Sequence, residues 1–257
     1  MKRDPRDFYD ALAPDYHLIF DDWDASLLRQ GAVIHALLGN ESQRVLDMAC
    51  GMGTQAIGLT LLGHTVVARD LSPALVKRAK VEAQRLGTAL DISVGDMRLA
   101  VPGDVAAFDA VIAFDNALPH LETDADLLAA LKAGHDALRP GGRLFASVRD
   151  YDDLMRKRPS CDAPRRLGSG GKERVVLQLW DWDQDGRGYQ LQHIILVRDG
   201  ERGWEARTTR GHYRALLRRE LSEAAASVGL SDPPGSEPEG SGFYQPIFIA
   251  TKPGAKS

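Results

Sequence analysis

Between Arg44 and Val148, short, mostly apolar runs alternate with longer segments whose apolar residues recur at helical spacing. Val45–Met48, Thr65–Ala68, Ile92–Val94, Ala110–Phe114 and Leu144–Val148 are near-continuous apolar runs of strand length. Such runs suit strands covered on both faces. Thr54–Leu62, closed by Gly63, is read as a helix. So is the stretch from Ser72-Pro73 through Leu86, where a capping serine and a proline stand at its start. Asp124–Leu138 is a third helix, followed by a Pro140-Gly141-Gly142 turn. Strands separated by helices predict a parallel sheet with helices on both faces.

The flanks read differently. Residues 1–40 are helical in pattern: Leu27, Leu28, Gly31, Ile34, Leu37 and Leu38 share a face, with Asp24 as the expected cap and Gly39-Asn40 as the stop. Residues 152–170 are dense in Arg, Lys, Pro, Gly and Ser and hold no period. They are expected to form a mobile loop or lid, or equally a plain solvated connection. Arg174–Trp182, Tyr189–Arg198 and Trp204–Tyr213 favour antiparallel strands, the first two joined by Asp185-Gly186-Arg187-Gly188. Arg214–Val228 is a last helix ended by Gly229, Asp232–Gly242 a loop, and Tyr244–Thr251 a final strand. The resulting division is one domain: 1–40 an N-terminal helical cap, 41–151 a ligand-binding core, 152–213 a loop and β insertion over the mouth of the sheet, and 214–257 the last helix and strand.

Composition narrows the function. The 257 residues are 44% hydrophobic, enough for a full core. A net charge of -4 supplies no general basic field for nucleic acid or anionic lipid, so neither partner is expected. The arginines from Arg156 to Arg166 then read as a solvated loop. No run of about 18 uncharged apolar residues marks a membrane span. Met1–Asp10 is charged, unlike a signal peptide. Two distant cysteines, Cys50 and Cys161, give no metal spacing and fit a reducing, cytoplasmic setting.

The chemistry is concentrated in Val45-Leu46-Asp47-Met48-Ala49-Cys50-Gly51-Met52-Gly53-Thr54: a strand, a turn of small residues and a helix. Ligands of open α/β sheets bind beyond such strand ends, and small residues let the backbone approach them. Asp70 ends the next strand, where a carboxylate can accept bonds from both ribose hydroxyls. A pyrophosphate-binding turn would want a third glycine, but residue 56 is Ala. Asp47 also suits a cationic ligand better than a pyrophosphate, which disfavours a nicotinamide oxidoreductase.

Val45–Thr54 resembles motif I of class I S-adenosylmethionine-dependent methyltransferases. Asp70 matches that family's ribose-binding acid. Val94-Gly95-Asp96-Met97 resembles its adenine segment, in which Asp96 would meet the amino group and Met97 pack on the ring. Phe108–Phe114 resembles motif IV, and Leu138–Leu144 its turn into the fifth strand. The resemblance implies a Rossmann-like, doubly wound, mostly parallel seven-stranded sheet, here with an N-terminal helical cap and an antiparallel β insertion. It also implies S-adenosylmethionine as cofactor, S-adenosylhomocysteine as product and a small-molecule acceptor. The cofactor set it implies is Tyr16, Trp23, Arg29, Asp47, Ala49, Gly51, Gly53, Asp70, Leu71, Asp96, Met97 and Phe114; no metal is expected.

Within the family, the glycine/sarcosine N-methyltransferase group is most similar. It shares the Ala49-Cys50 pair, an Asn like Asn116, a His-Leu pair like His120-Leu121, and an Arg two residues before a Tyr, like Arg149 and Tyr151. These four, Asn116, His120, Arg149 and Tyr151, are the implied catalytic set, with Arg149 on an acceptor carboxylate. Asp115 and Leu118-Pro119 depart from the small and aromatic residues expected there.

On physical grounds alone, other roles stand beside these. Arg149 can fork onto a carboxylate or pair internally with Asp150 or Asp152. His120 can accept a proton or be a hydrogen-bonded loop residue. Asn116 can bind ligand or satisfy its own turn, and Tyr151 can face the methyl group or pack in the core. Tyr9, Tyr16 and Trp23 can cap a sulfonium or merely pack helices. Trp180, Trp182, Tyr189 and Trp204 can line the acceptor or pair across strands. Cys50 is read as packing rather than as a nucleophile. The expected activity is methylation of an amine or heterocyclic nitrogen, with O- or N-methylation in natural-product synthesis as the alternative. A non-catalytic cofactor-binding module is the reading from a different class.

Overall fold

Apolar runs on both sides of the Gly-rich turn form the centre of one sheet. The computed structural model of the protein describes residues 4–101, 103, 105–169, 172–200, 203–231 and 238–254. Strands β1 (Arg44–Asp47), β2 (Thr65–Asp70), β3 (Asp91–Val94), β4 (Phe108–Ala113), β5 (Leu138–Ser147) and β10 (Ile247–Thr251) form a six-stranded sheet in the order β10-β5-β4-β1-β2-β3. All pair in parallel except β10, which runs antiparallel to β5. A seventh strand was expected. At its place beyond β10 the described residues hold one antiparallel bridge, Ser231 with Thr251. The expected loop 232–242 lies outside the described residues over 232–237.

The helices cover both faces, as the buried strands require. α2 (Trp23–Leu38), α3 (Thr54–Leu61) and α4 (Pro73–Arg85) enclose one core layer with Val45, Ile57, Ala68 and Phe145. α5 (Asp124–Ala137) and α7 (Arg218–Ser227) enclose the other with Leu46, Val111, Leu144 and Leu221. Side-chain caps fix the starts: Ser72 accepts from the Leu75 N–H and Thr123 from the Asp126 N–H.

Residues 1–40 are not one helical run. α1 (Pro5–Leu12) ends before Pro14, a 3-10 turn spans Tyr16–Ile19, and α2 follows, capped by Asp22 rather than by Asp24. The Pro140-Gly141-Gly142 turn lies inside β5, beside a register shift against β4 between Phe108 and Ala110. Residues 152–169 are more regular than their composition suggests; residue 170 lies outside the described residues. Asp150 caps α6 (Tyr151–Lys157), and β6 (Arg165–Leu167) follows. β6 pairs with the first of the three expected insertion strands, β7 (Arg174–Trp182), β8 (Gly188–Asp199) and β9 (Gly203–Arg214). They form a separate antiparallel sheet in the order β6-β7-β8-β9. α8 spans Pro238–Ser241. No described helix is long and apolar enough to cross a membrane.

Candidate active site

The strand order reverses between β1 and β4, and ligand crevices of open α/β sheets form at such a point. There the turn after β1 folds back tightly: Gly53 has φ +91°, caps α3, and its amide donates to the Cys50 carbonyl. The turn opens a cavity of about 280 Å³. Its walls are the turn itself, the tips of β2, β3 and β4, and the N-terminal segment through Tyr9 and Tyr16. A Cβ placed on Gly51 would come within 3.5 Å of the Tyr16 ring, so the turn and the aromatic face lie in close contact.

Asp70 anchors this turn. Its Oδ2 accepts the Gly51 N–H at 2.8 Å and its Oδ1 accepts the Ser72 N–H at 2.9 Å. Burial pushes its carboxyl up to about 6 against those two bonds, with the Asp10 charge adding. Each oxygen keeps acceptor capacity for a further donor. Asp47 lies deeper, 1% exposed. Its Oδ1 accepts the Ala49 N–H at 3.2 Å, and its Oδ2 is buried without a partner. Burial drives its carboxyl up to about 8, opposed by the Ala49 bond and aided by Asp70 and Asp115.

Eight of the expected cofactor residues line the cavity: Tyr16, Ala49, Gly51, Asp70, Leu71, Asp96, Met97 and Phe114. Four do not. Gly53 and Asp47 support the turn from beneath. Trp23 reaches the wall indirectly, its indole N–H donating to Thr54 Oγ1 at 3.4 Å. Arg29 is exposed and donates to Ser26 Oγ at 3.2 Å, away from the lining. Asp96 is held by the Arg98 guanidinium, with Nη2 to Oδ2 at 2.6 Å, and Arg98 also reaches Asp126 at 2.7 Å. The Arg98 bonds are the main reason the Asp96 carboxyl sits below its usual range.

Of the implied catalytic set, only His120 lines the cavity. Its Nε2 lies 2.8 Å from the Tyr9 hydroxyl, and its buried Nδ1 has no hydrogen-bond partner. Burial first, then Arg149, pushes its imidazole down to about 3, so it is neutral at physiological pH. Asn116, Arg149 and Tyr151 form a buried network behind it. Asn116 Oδ1 accepts the Arg149 N–H, Asn116 Nδ2 donates to the Tyr151 hydroxyl, and that hydroxyl lies 3.0 Å from the Tyr189 hydroxyl.

Arg149 pairs with neither Asp150 nor Asp152. Its guanidinium donates to Tyr189 at 3.0 Å and to Gln178 at 2.8 Å and lies 4.6 Å over the Trp180 ring. It ties the tip of β5 to the second sheet. Trp180, Tyr189 and Tyr213 stack across that sheet, with adjacent rings at 7°. Trp182 packs against Tyr189 in the same cluster, whereas Trp204 is exposed. Cys50 is buried and its thiol is pushed up by burial, consistent with packing.

Sequence reasoning left out Gln55 and Tyr244. Gln55 lines the cavity from the first turn of α3 and donates to Asp115 at 2.7 Å; the Tyr244 hydroxyl donates to the other oxygen of Asp115. Gln55 follows the Gly-rich turn directly, so its position on the first turn of α3 was a usable signal. Tyr244 carried none.

The residues present fit S-adenosylmethionine. They offer small residues at the strand tip, an acid with free acceptor capacity in the lining in Asp70, and an aromatic face in Tyr16.

Comparison with known proteins agrees. Residues 45–142 match the family model described as methyltransferase domain. The chain is similar to a glycine/sarcosine N-methyltransferase of Parasynechococcus marenigrum, 34% identical over 135 residues, covering 52% of this chain and 48% of that protein. It is also similar to a ubiquinone biosynthesis O-methyltransferase of Xanthomonas axonopodis pv. citri, 34% identical over 115 residues, covering 45% of this chain and 46% of that protein. The chain thus spans about half the length of these curated relatives. Its fold is shared with SAM-bound CalS10, an amino pentose methyltransferase from Micromonospora echinaspora, at a TM-score of 0.69 and 23% identity, covering 90% of this chain and 92% of that one.

Proposed function

We propose that the chain is an S-adenosylmethionine-dependent methyltransferase of class I that methylates a small molecule, with nitrogen as the acceptor atom; the match of residues 45–142 to a methyltransferase-domain model supports the reading. The observation that carries this reading is the cavity at the tip of β1, where Asp70 supports Gly51 beneath the Tyr16 ring.

S-adenosylmethionine supplies a methyl group already activated on a sulfonium, so the protein's part is to bind, align and exclude water. Asp70 would hold the ribose hydroxyls. Met97 and Leu71 would cover the adenine, with Asp96 shared between Arg98 and the amino group. Tyr16 would face the cation. His120 is neutral and hydrogen-bonded to Tyr9; with its imidazole pushed down to about 3 it stays unprotonated at neutral pH and would orient the acceptor rather than take its proton. Asn116, Tyr151 and Arg149 act as positioning residues: they hold the tip of β4, and with it His120, against the second sheet. An O-acceptor is the second reading, supported by similarity to the O-methyltransferase relative.

The test is direct. Full-length protein is expected to bind S-adenosylhomocysteine in calorimetry and to ignore a nicotinamide dinucleotide. Incubated with methyl-labelled cofactor and an acceptor panel, it should give products one methyl unit heavier. Binding of the dinucleotide alone overturns the reading; nucleoside binding with no methylated product in any panel reduces the chain to a binding module.

A further inference from the structure

Asp115 occupies a position that a side chain rarely takes. It lies two residues past the end of β4 with φ +57°, and Asn116 follows with φ +65°. Two consecutive non-glycine residues in the left-handed region are strained, and such strain persists only where surrounding bonds enforce it. Here they do. The Ser147 hydroxyl oxygen accepts the Asp115 N–H at 2.8 Å, and the Ser147 carbonyl accepts the Asn116 N–H at 3.1 Å. The effect is to put a carboxylate into the cavity wall where a smaller residue would leave space.

That carboxylate is held only by neutral donors, Gln55 on one oxygen and Tyr244 on the other. Among the described residues no cation pairs with it, and each oxygen retains an acceptor site. The same cavity is lined by the aromatic residues Tyr16, Phe114 and Tyr9, whose faces favour a cation, and its one lining guanidinium among the described residues, Arg98, is taken up by Asp96 and Asp126. His120 lines the same cavity at 8% exposure, with Nδ1 lacking a partner. The guanidinium that would favour an acidic acceptor, Arg149, is outside the lining and already shared between Tyr189 and Gln178.

We propose that Asp115 is the acceptor-recognising residue of this site and that it takes the ammonium nitrogen of an amine acceptor. This rests on the methyltransferase reading and deepens it. An ammonium group donates to a free lone pair of Asp115, a charge-assisted bond in a partly desolvated wall. The proton then passes from nitrogen to Asp115 Oδ, leaving a neutral nitrogen with its lone pair free, the form an amine needs to attack. Burial, which already pushes this carboxyl up against the Tyr244 and Gln55 bonds, favours that transfer.

The test uses the full chain saturated with S-adenosylhomocysteine. Benzylamine, ethanolamine and glucosamine are titrated in calorimetry beside benzyl alcohol, ethylene glycol and glucose. At least one amine should bind at millimolar concentration while its alcohol partner does not. Asp115→Asn keeps the side-chain shape and tolerates positive φ; it should weaken that amine about ten- to hundredfold while S-adenosylhomocysteine binds within about twofold of wild type. Asp115→Gly, which the left-handed backbone accepts without strain, should show the same split.

Three results overturn the proposal: no amine binds, amine binding survives both substitutions, or both substitutions remove the nucleoside as well. In the last case Asp115 serves the cofactor. A wild-type protein that fails to bind S-adenosylhomocysteine overturns the methyltransferase reading itself, and this proposal with it.

Discussion

Asp70 and Asp47 stand 23 residues apart in sequence and answer to one cause, burial without a cation, with different consequences. Asp70 keeps two backbone donors and stays ionised above about 6. Replacing it with Asn removes the charge but not the shape. S-adenosylhomocysteine should then bind about ten- to hundredfold more weakly in calorimetry, the range for losing bonds to a charged group; an unchanged isotherm removes Asp70 from the ribose site. Asp47 is raised to about 8 from an unfolded value of about 3.9. A raised carboxyl favours the protonated form in the fold. Its stabilising contribution is complete below about pH 4 and is lost as pH rises through about 8. The ligand-free protein should therefore lose melting temperature progressively between about pH 4 and about pH 8, and Asp47→Asn should flatten that fall. Parallel melting curves for the two proteins across that range would show that the carboxyl is already ionised in the fold.

At the scale of elements, the position of α3 decides whether the turn can form. α2 and α3 cross with Gly31 against Gly58, so closely that a Cβ on Gly58 would meet the Leu27 carbonyl oxygen at 2.7 Å and Gly31 Cα at 3.0 Å. Backbone cannot yield as a flexible side chain can. Gly58→Ala should cost about 1–3 kcal/mol in urea unfolding and loosen nucleoside binding, because α3 begins at the turn. The helices and strands around this crossing were legible because parallel strands buried on both faces are uninterrupted apolar runs, and because Ser72-Pro73 and Thr123 are capping residues in the right places. Boundaries failed where tertiary contact overrode local pattern. β6 is three residues, two of them arginine, and exists only because β7 offers an edge. α6 is only seven residues, its apolar stripe limited to Tyr151, Leu154 and Met155. In the site, Asp70, Gly51 and Asp96 were readable because Asp70 ends a strand and the other two lie in the short turns that follow one. The Gln55–Asp115–Tyr244 set was not, since its members are 60 and 129 positions apart and no local period joins them.

Across the whole molecule, the second sheet covers the nucleotide-binding core through a few strong ties, and one of them reaches the cavity. Arg174 on β7, 9% exposed, donates from Nε to the Leu18 carbonyl at 2.6 Å and from Nη2 to the carbonyls of Phe20 and Asp21. The Leu18 carbonyl belongs to the turn that presents Tyr16 over Gly51, and Phe20 and Asp21 follow directly after it. The sheet therefore holds one wall of the cofactor cavity in place from outside the core. Arg174→Leu keeps apolar bulk and removes all three charge-assisted bonds, leaving the carbonyls to water. Limited proteolysis should then cut faster within residues 13–22, and S-adenosylhomocysteine should bind more weakly in calorimetry. Urea unfolding followed at the six-stranded core should shift less than for Gly58→Ala, because no core side chain is lost. Unchanged proteolysis together with unchanged affinity would mean that the N-terminal segment holds its place without the sheet. The insertion would then cover the acceptor side alone.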